Sequence, residues 1–239
     1  TGKGVRDTVK HSIKKILPDA PKHQAYLDIL NQVVDFNKQL QIENGAYVPI
    51  ILRPFHEHTG NWFWWGQAHN DCEDFKELWR FTVKYLRDEK GIHNFIYAYS
   101  TDTVATREQY LECYPGDDYV DVIGIDIYRD IENNEPDKFL NRIRLVTDIA
   151  EEKGKIAAVT ETGYANHDLR NWYTDFVLEP IKNDPQAKRL AFMMLWANYR
   201  KDMYWSIFPG HTEEENFVEF YNDPFTLFLD EWKSVKIKD

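Results

Sequence analysis

Two glutamates stand where carboxylic acids can work as a pair. Glu57 lies in Arg53-Pro54-Phe55-His56-Glu57-His58-Thr59-Gly60-Asn61-Trp62-Phe63-Trp64-Trp65-Gly66, where an apolar run passes into an aromatic loop. Glu161 lies in Val159-Thr160-Glu161-Thr162-Gly163-Tyr164, at the end of another run. Two carboxylates on separate strand ends of one sheet face suit glycoside hydrolysis: one acid protonates the leaving oxygen, and one carboxylate attacks the sugar or activates water. Each glutamate could instead pair with an arginine or cap a helix; the tryptophan-rich loop beside Glu57 favours the catalytic reading.

The neighbours of Glu57 invite other chemistry. His56-Glu57-His58 is not the His-Glu-x-x-His helix of zinc proteases, and on a strand its two histidines would share one face, opposite Glu57, so no metal is expected. His56 is better used as a hydrogen-bond donor to a sugar hydroxyl or a carboxylate, the alternative being a core histidine. His58 and His69 carry no assignment. Trp62, Trp64 and Trp65 fall within four residues beside Gly60 and Asn61, a context in which burying all three is difficult. Together with Trp196 they are expected to stack on sugar faces rather than fill a core. No Gly-x-Gly-x-x-Gly or Walker loop occurs, so nucleotide and phosphate roles have nothing to stand on. Asp117-Asp118 and Asp130 read as solvated turns.

Apolar or β-branched runs at residues 47–52, 95–99, 120–127, 156–160 and 190–195 must position these groups. Helical patterns at 74–87, 136–152 and 169–182 lie between them, after an opening helix at 21–41. This alternation predicts an α/β fold with a parallel sheet buried on both faces. The polar residues cluster just after each run: Arg53, His56 and Glu57, then Ser100 and Asp102, Asp126 and Tyr128, Glu161, and Trp196. That edge is the catalytic face of a β/α barrel and the ligand crevice of a doubly wound sheet, so position locates the site without choosing between the folds.

With 239 residues and no linker or repeat, the chain is expected to be a single domain over 1–239. Its 29 lysines and arginines against 40 aspartates and glutamates leave a formal charge of −11, which repels nucleic acid and anionic membranes. No run is long enough to insert in a membrane. Cys72 and Cys113 are too few for a disulfide framework or a four-thiolate zinc site, and their state stays open. Aromatic residues make up 15% of the chain, more than a core needs and enough for flat-ligand platforms.

The segment 53–66, with Tyr114-Pro115-Gly116-Asp117, Gly124-Ile125-Asp126-Ile127-Tyr128 and Thr160-Glu161-Thr162-Gly163, resembles glycoside hydrolase family 26, whose characterised members are mostly endo-β-1,4-mannanases. The resemblance covers nearly the whole chain. It implies a (β/α)8 TIM barrel with Glu57 as acid/base after the fourth strand and Glu161 as nucleophile after the seventh. By the same match, His56 precedes the acid/base, Trp62 lies near it, Tyr128 sits close to the nucleophile, and Trp196 floors the cleavage point. Asp126 would orient the site from the sixth strand, with Arg53 and Trp65 completing the substrate-binding set.

On this match the five runs are the fourth to eighth strands, and the first three would precede Thr1. The resemblance further implies β-mannan or manno-oligosaccharides as partner, no metal or organic cofactor, a monomer when the whole barrel is present, and a secreted or envelope-attached location. Action on mixed-linkage β-glucan or β-1,3-xylan, or sugar binding without catalysis, are the competing readings.

Overall fold

The computed structural model of the chain describes residues 9–165, 169–198, 200 and 203–232. Five strands, β1 (Ile50–Leu52), β2 (Phe95–Thr101), β3 (Val122–Ile127), β4 (Ile156–Thr162) and β5 (Phe192–Leu195), form one parallel sheet in the order β1-β2-β3-β4-β5. Helix α1 (His23–Asn37) precedes β1. The crossovers carry α2 (Cys72–Lys84), α3 (Arg107–Leu111), α4 (Arg129–Glu132), α5 (Pro136–Lys153) and α6 (Glu179–Asn183), and α7 (Glu214–Asn222) and α8 (Leu229–Trp232) follow β5. A doubly wound sheet would reverse its strand order at a switch point. The order here does not reverse, and the curled sheet is the five-strand part of a (β/α)8 barrel.

The apolar runs become strands because both their faces are covered. All six residues of β3 are buried. Ile123, Ile125 and Ile127 face the main core, which also holds Phe139, Ile143, Val146 and Ile149 of α5. Their alternate Val122 joins the small residues Ala98 and Ala158 in a second cluster, with Ile96 and Phe192 beside it. Period-two alternation thus separates a bulky helix-facing side from a small-residue concave side. Helix α2 contributes Phe75, Leu78, Trp79, Thr82 and Val83, the three-and-four spacing of a one-sided helix.

Several boundaries differ from the sequence pattern. The run at 47–52 yields only three strand residues, because Tyr47 bridges back to Gln41. The helix expected over 169–182 divides into a π turn, Trp172–Leu178, and α6. Pro180, in the first turn of α6, has no N–H to continue an α-helical ladder from the preceding turn. Asp130 is not a solvated turn residue: it is 3% exposed and accepts from Arg142 Nε at 3.1 Å. His58 is equally enclosed, stacked on Phe75 with its Nε2 3.0 Å from the Tyr99 hydroxyl.

One irregularity bears on the site. Val159 pairs with Ile125, but Glu161 pairs with Asp126, so Thr160 is an extra residue in β4. Alternation from Ala158 and Thr160 on the concave side would send Glu161 to the helix side. The bulge restores it to the side of Asp126.

Cys72 and Cys113 form a disulfide with Cα atoms 4.8 Å apart, joining the start of α2 to the segment after α3. No described helix is long and apolar enough to cross a membrane. The cross-link closes a sequence separation of 41 residues, and its loss through Cys72→Ser/Cys113→Ser is expected to cost about 2–4 kcal/mol. Thermal melts with and without reductant check this; a melting temperature indifferent to both would show that the bridge constrains nothing.

Candidate active site

Arg53 leaves β1 directly and points its guanidinium across the end of β2. Its Nη1 donates to Asp126 Oδ2 at 2.7 Å and to Ser100 Oγ at 3.1 Å, and its Nη2 donates to Glu161 Oε2 at 2.5 Å. Asp126 is fully buried and also accepts from the Thr160 hydroxyl at 2.6 Å. Glu161 accepts a second hydrogen bond, from the Tyr128 phenol at 2.9 Å. Burial opposes charge on both Arg53 and Asp126. On the guanidinium, Asp126 and Glu161 more than offset it, so its pKa lies above the ordinary arginine value. Asp126 is pushed upward by burial, against the pull of Arg53.

The turn after Arg53 is bent tightly. Phe55 and Glu57 have φ of 51° and 53°, left-handed values that side-chain-bearing residues avoid unless their surroundings impose them. Here the Glu57 N–H donates to the carbonyl of Ser100 at 3.0 Å, fastening the turn over β2. Residues 53–58 are therefore no strand, and the expected sharing of one strand face by His56 and His58 does not occur: His58 goes to the core.

Glu57 is held near neutrality. Burial raises its carboxyl pKa to about 7, the Trp62 hydrogen bond lowers it, and Glu161 and Asp102 add to the upward push. Trp62 Nε1 donates to Glu57 Oε2 at 2.8 Å, and its ring lies so close over Gly60 that a Cβ there would sit 2.5 Å from ring carbons. His56 moves the other way: burial, with Arg53 adding to it, lowers its pKa to about 4. Its neutral imidazole offers one donor and one acceptor.

The aromatic loop divides its labour. Trp65, expected on the substrate side, stacks on Phe63 with centroids 4.3 Å apart and donates from Nε1 to the His56 carbonyl at 2.8 Å. Trp64 packs edge-on to Trp65 and Phe55, against the core. All three tryptophans are half-buried, and of the three Trp62 is the one hydrogen-bonded to Glu57. Across the site, Trp196 follows β5 with its N–H on the Thr162 carbonyl at 2.8 Å and 36% exposure.

Sequence reasoning missed Trp205. Its ring lies edge-to-face with Tyr128 at 4.9 Å and with Trp196 at 5.7 Å. No motif announces it, since it arrives from a segment beyond β5. A polar cleft of about 520 Å³ is lined by Thr59, Asp102, Thr103, Arg129 and Arg142 among others, with neither glutamate of the pair in its wall. Among the described residues, the side chains grouped closely enough to ligate a metal are His11, Asp71 and Asp74, and Lys14 already pairs with both aspartates. The arrangement around Glu57 and Glu161 joins a carboxyl that keeps its proton to near neutrality with a second carboxyl group oriented by two donors. That combination can deliver a proton and attack, or activate, at one place.

Comparison with known proteins gives a consistent picture. The model of Glycosyl hydrolase family 26 matches residues 4–231. A mannan endo-1,4-beta-mannosidase of Bifidobacterium adolescentis is 34% identical over 217 residues, covering 83% of this chain and 21% of that protein. The catalytic domain of a Bacillus sp. JAMB-750 GH26 endo-beta-1,4-mannanase superposes with a TM-score of 0.87 at 39% identity, over 95% of this chain and 63% of that one. A GH26 beta-mannanase of Bacteroides ovatus gives 0.86 at 33% identity, over 93% and 64%. The chain thus spans about a fifth of that curated relative and less than two thirds of either structure.

The Arg53 pairs are buried enough to matter for folding. Removing one partner of a buried ion pair strands the other charge and costs about 3–5 kcal/mol. Arg53→Ala is expected to lose that much in urea denaturation, and a loss below about 1 kcal/mol would mean the guanidinium is not what holds Asp126 and Glu161.

Proposed function

The chain belongs to glycosyl hydrolase family 26, and from that premise we propose that the protein hydrolyses internal β-1,4-mannosidic bonds of mannan, galactomannan or glucomannan with retention of configuration. The observation that carries the reading is a carboxyl, Glu57, held protonated to about pH 7 beside Glu161 fixed by Arg53 and Tyr128. In the first step Glu161 attacks the anomeric carbon while the glycosidic C–O bond breaks and the Glu57 proton passes to the departing oxygen. In the second, water attacks the glycosyl-enzyme, its proton goes to Glu57, and the bond to Glu161 breaks.

The remaining residues position these events. Tyr128 and Arg53 orient Glu161, and Asp126 anchors Arg53. His56 stays neutral and hydrogen-bonds sugar hydroxyls, while Trp62 and Trp196 stack on sugar rings. No metal or organic cofactor enters either step. A polymer as substrate and a disulfide in the fold both support a location outside the cytoplasm, secreted or envelope-attached.

Release of reducing ends by the full-length protein from mannan and glucomannan tests the substrate; release from lichenan or β-1,3-xylan alone would retire it. For the roles, Glu161→Ala is expected to abolish turnover and to regain it with azide, giving the inverted glycosyl azide. The retained azide would exchange the two glutamates.

Because Glu57 must carry its proton, kcat/KM is expected to fall as pH rises through about 7. Trp62 hydrogen-bonds the ionised form and so lowers the Glu57 pKa. Trp62→Phe removes that help, and the alkaline limb should move to higher pH. A limb that stays in place or moves down would detach Glu57 from the acid role.

A further inference from the structure

Behind Trp205 lies a small cavity of about 10 Å³, lined by Tyr164, Trp172, Tyr173, Trp205, Ser206, His211 and Glu213. Three residues of this lining each carry a buried polar atom with no hydrogen-bond partner among the described residues: Trp172 Nε1, Trp205 Nε1 and Glu213 Oε2. Trp172 is 2% exposed and Glu213 9%. An orphaned buried polar group costs about 1–3 kcal/mol, so three around one space call for a common partner.

The chemistry of that partner follows from the groups. Two indole N–H donors require two lone pairs, and a carboxylate oxygen requires a proton. An anion would be repelled by Glu213, and a cation has no lone pairs for the indoles. Water meets all three demands at once, and the cavity has the room that one water needs.

Trp205 is already fixed by its backbone. The side chain of Asn198 accepts from the N–H groups of Trp205 and Ser206 at 2.8 and 2.9 Å and donates to the Ser206 carbonyl at 2.8 Å. The Trp205 carbonyl presses on Gly163, where φ is +148° and a Cβ would lie 2.6 Å from that oxygen. These contacts hold the backbone and not the tilt of the indole ring, which lies near-perpendicular to the rings of Tyr128 and Trp196.

We propose that Trp172, Trp205 and Glu213 bind one internal water, and that Glu213, acting through it, is a positioning residue for the Tyr128–Glu161 pair. The water fixes the tilt of Trp205, Trp205 supports the Tyr128 ring, and Tyr128 holds Glu161 in line. The positioning half rests on the function proposed above; the water half does not.

Two measurements on the full-length protein test the two halves. A high-resolution crystal structure is expected to show an ordered water within hydrogen-bonding distance of all three atoms; an empty cavity, or protein groups pairing these atoms directly, overturns the proposal. In kinetics on a manno-oligosaccharide, Glu213→Leu is expected to lower kcat about tenfold with KM changed less than about twofold, as small misalignments of a reacting group do. Glu213→Gln keeps an acceptor oxygen and should recover most of the loss. Should Glu213→Leu fail to fold, Trp172→Phe removes only the donor and should lower kcat in the same way. Equal impairment by Gln and Leu, or an unchanged kcat in Trp172→Phe, overturns the positioning role. A wild type inactive on every mannan would sink the functional reading alone, and the crystal structure would still decide the water.

Discussion

A half-buried guanidinium between two carboxylates is the interaction from which the rest of the site hangs. Arg53 comes from the end of β1, Asp126 from β3 and Glu161 from β4, so the cation must reach across the intervening β2, where Ser100 gives it a further partner. That reach is short only on the concave side of a curled sheet. The small residues Ala98 and Ala158 lie on this side with Val122. Sheet curvature, strand order and local charge balance are therefore one problem with one solution, and a buried charge that found only part of it would be penalised heavily.

The aromatic loop solves a second problem by a single means. Burial raises the carboxyl of Glu57 to about 7 and lowers the imidazole of His56 to about 4. Both side chains are thus pushed toward their uncharged forms by the same loss of water. Trp65 stacks on Phe63 and meets Trp64 edge-on, while Trp62 corrects the acidity of Glu57 through one hydrogen bond. A loop of unlike residues would have needed separate devices for the acid and the histidine.

How much of this was legible depended on the range of the interaction. The strands could be read because continuous apolar runs such as 120–127 have no use except between two covered faces, and Glu57 and Glu161 stood out by following such runs. Arg53, Tyr128 and Asp126 were legible through the family resemblance, and the structure brings all three to Glu161 or to each other. Hidden were the features that depend on distant partners. The Cys72–Cys113 bridge, the burial of Asp130 by Arg142, the core position of His58 and the approach of Trp205 to Tyr128 are all pairings across the fold. Local spacing carries no trace of them. The hydrogen bond from Trp65 to the His56 carbonyl was equally out of reach, because three tryptophans in one loop look alike until their partners are in place.

The extra residue in β4 has a further meaning. In a strand, the side to which a residue points is a matter of parity: odd and even positions face apart, and Thr160 shifts the count by one before Glu161. The direction of this carboxyl is thus encoded by number rather than by any neighbour's identity. Sequence drift at positions 156–159 can exchange one apolar residue for another without touching it. Lengthening or shortening the strand by a single residue would act like a frameshift, leaving every side chain chemically intact and the glutamate on the wrong side of the wall.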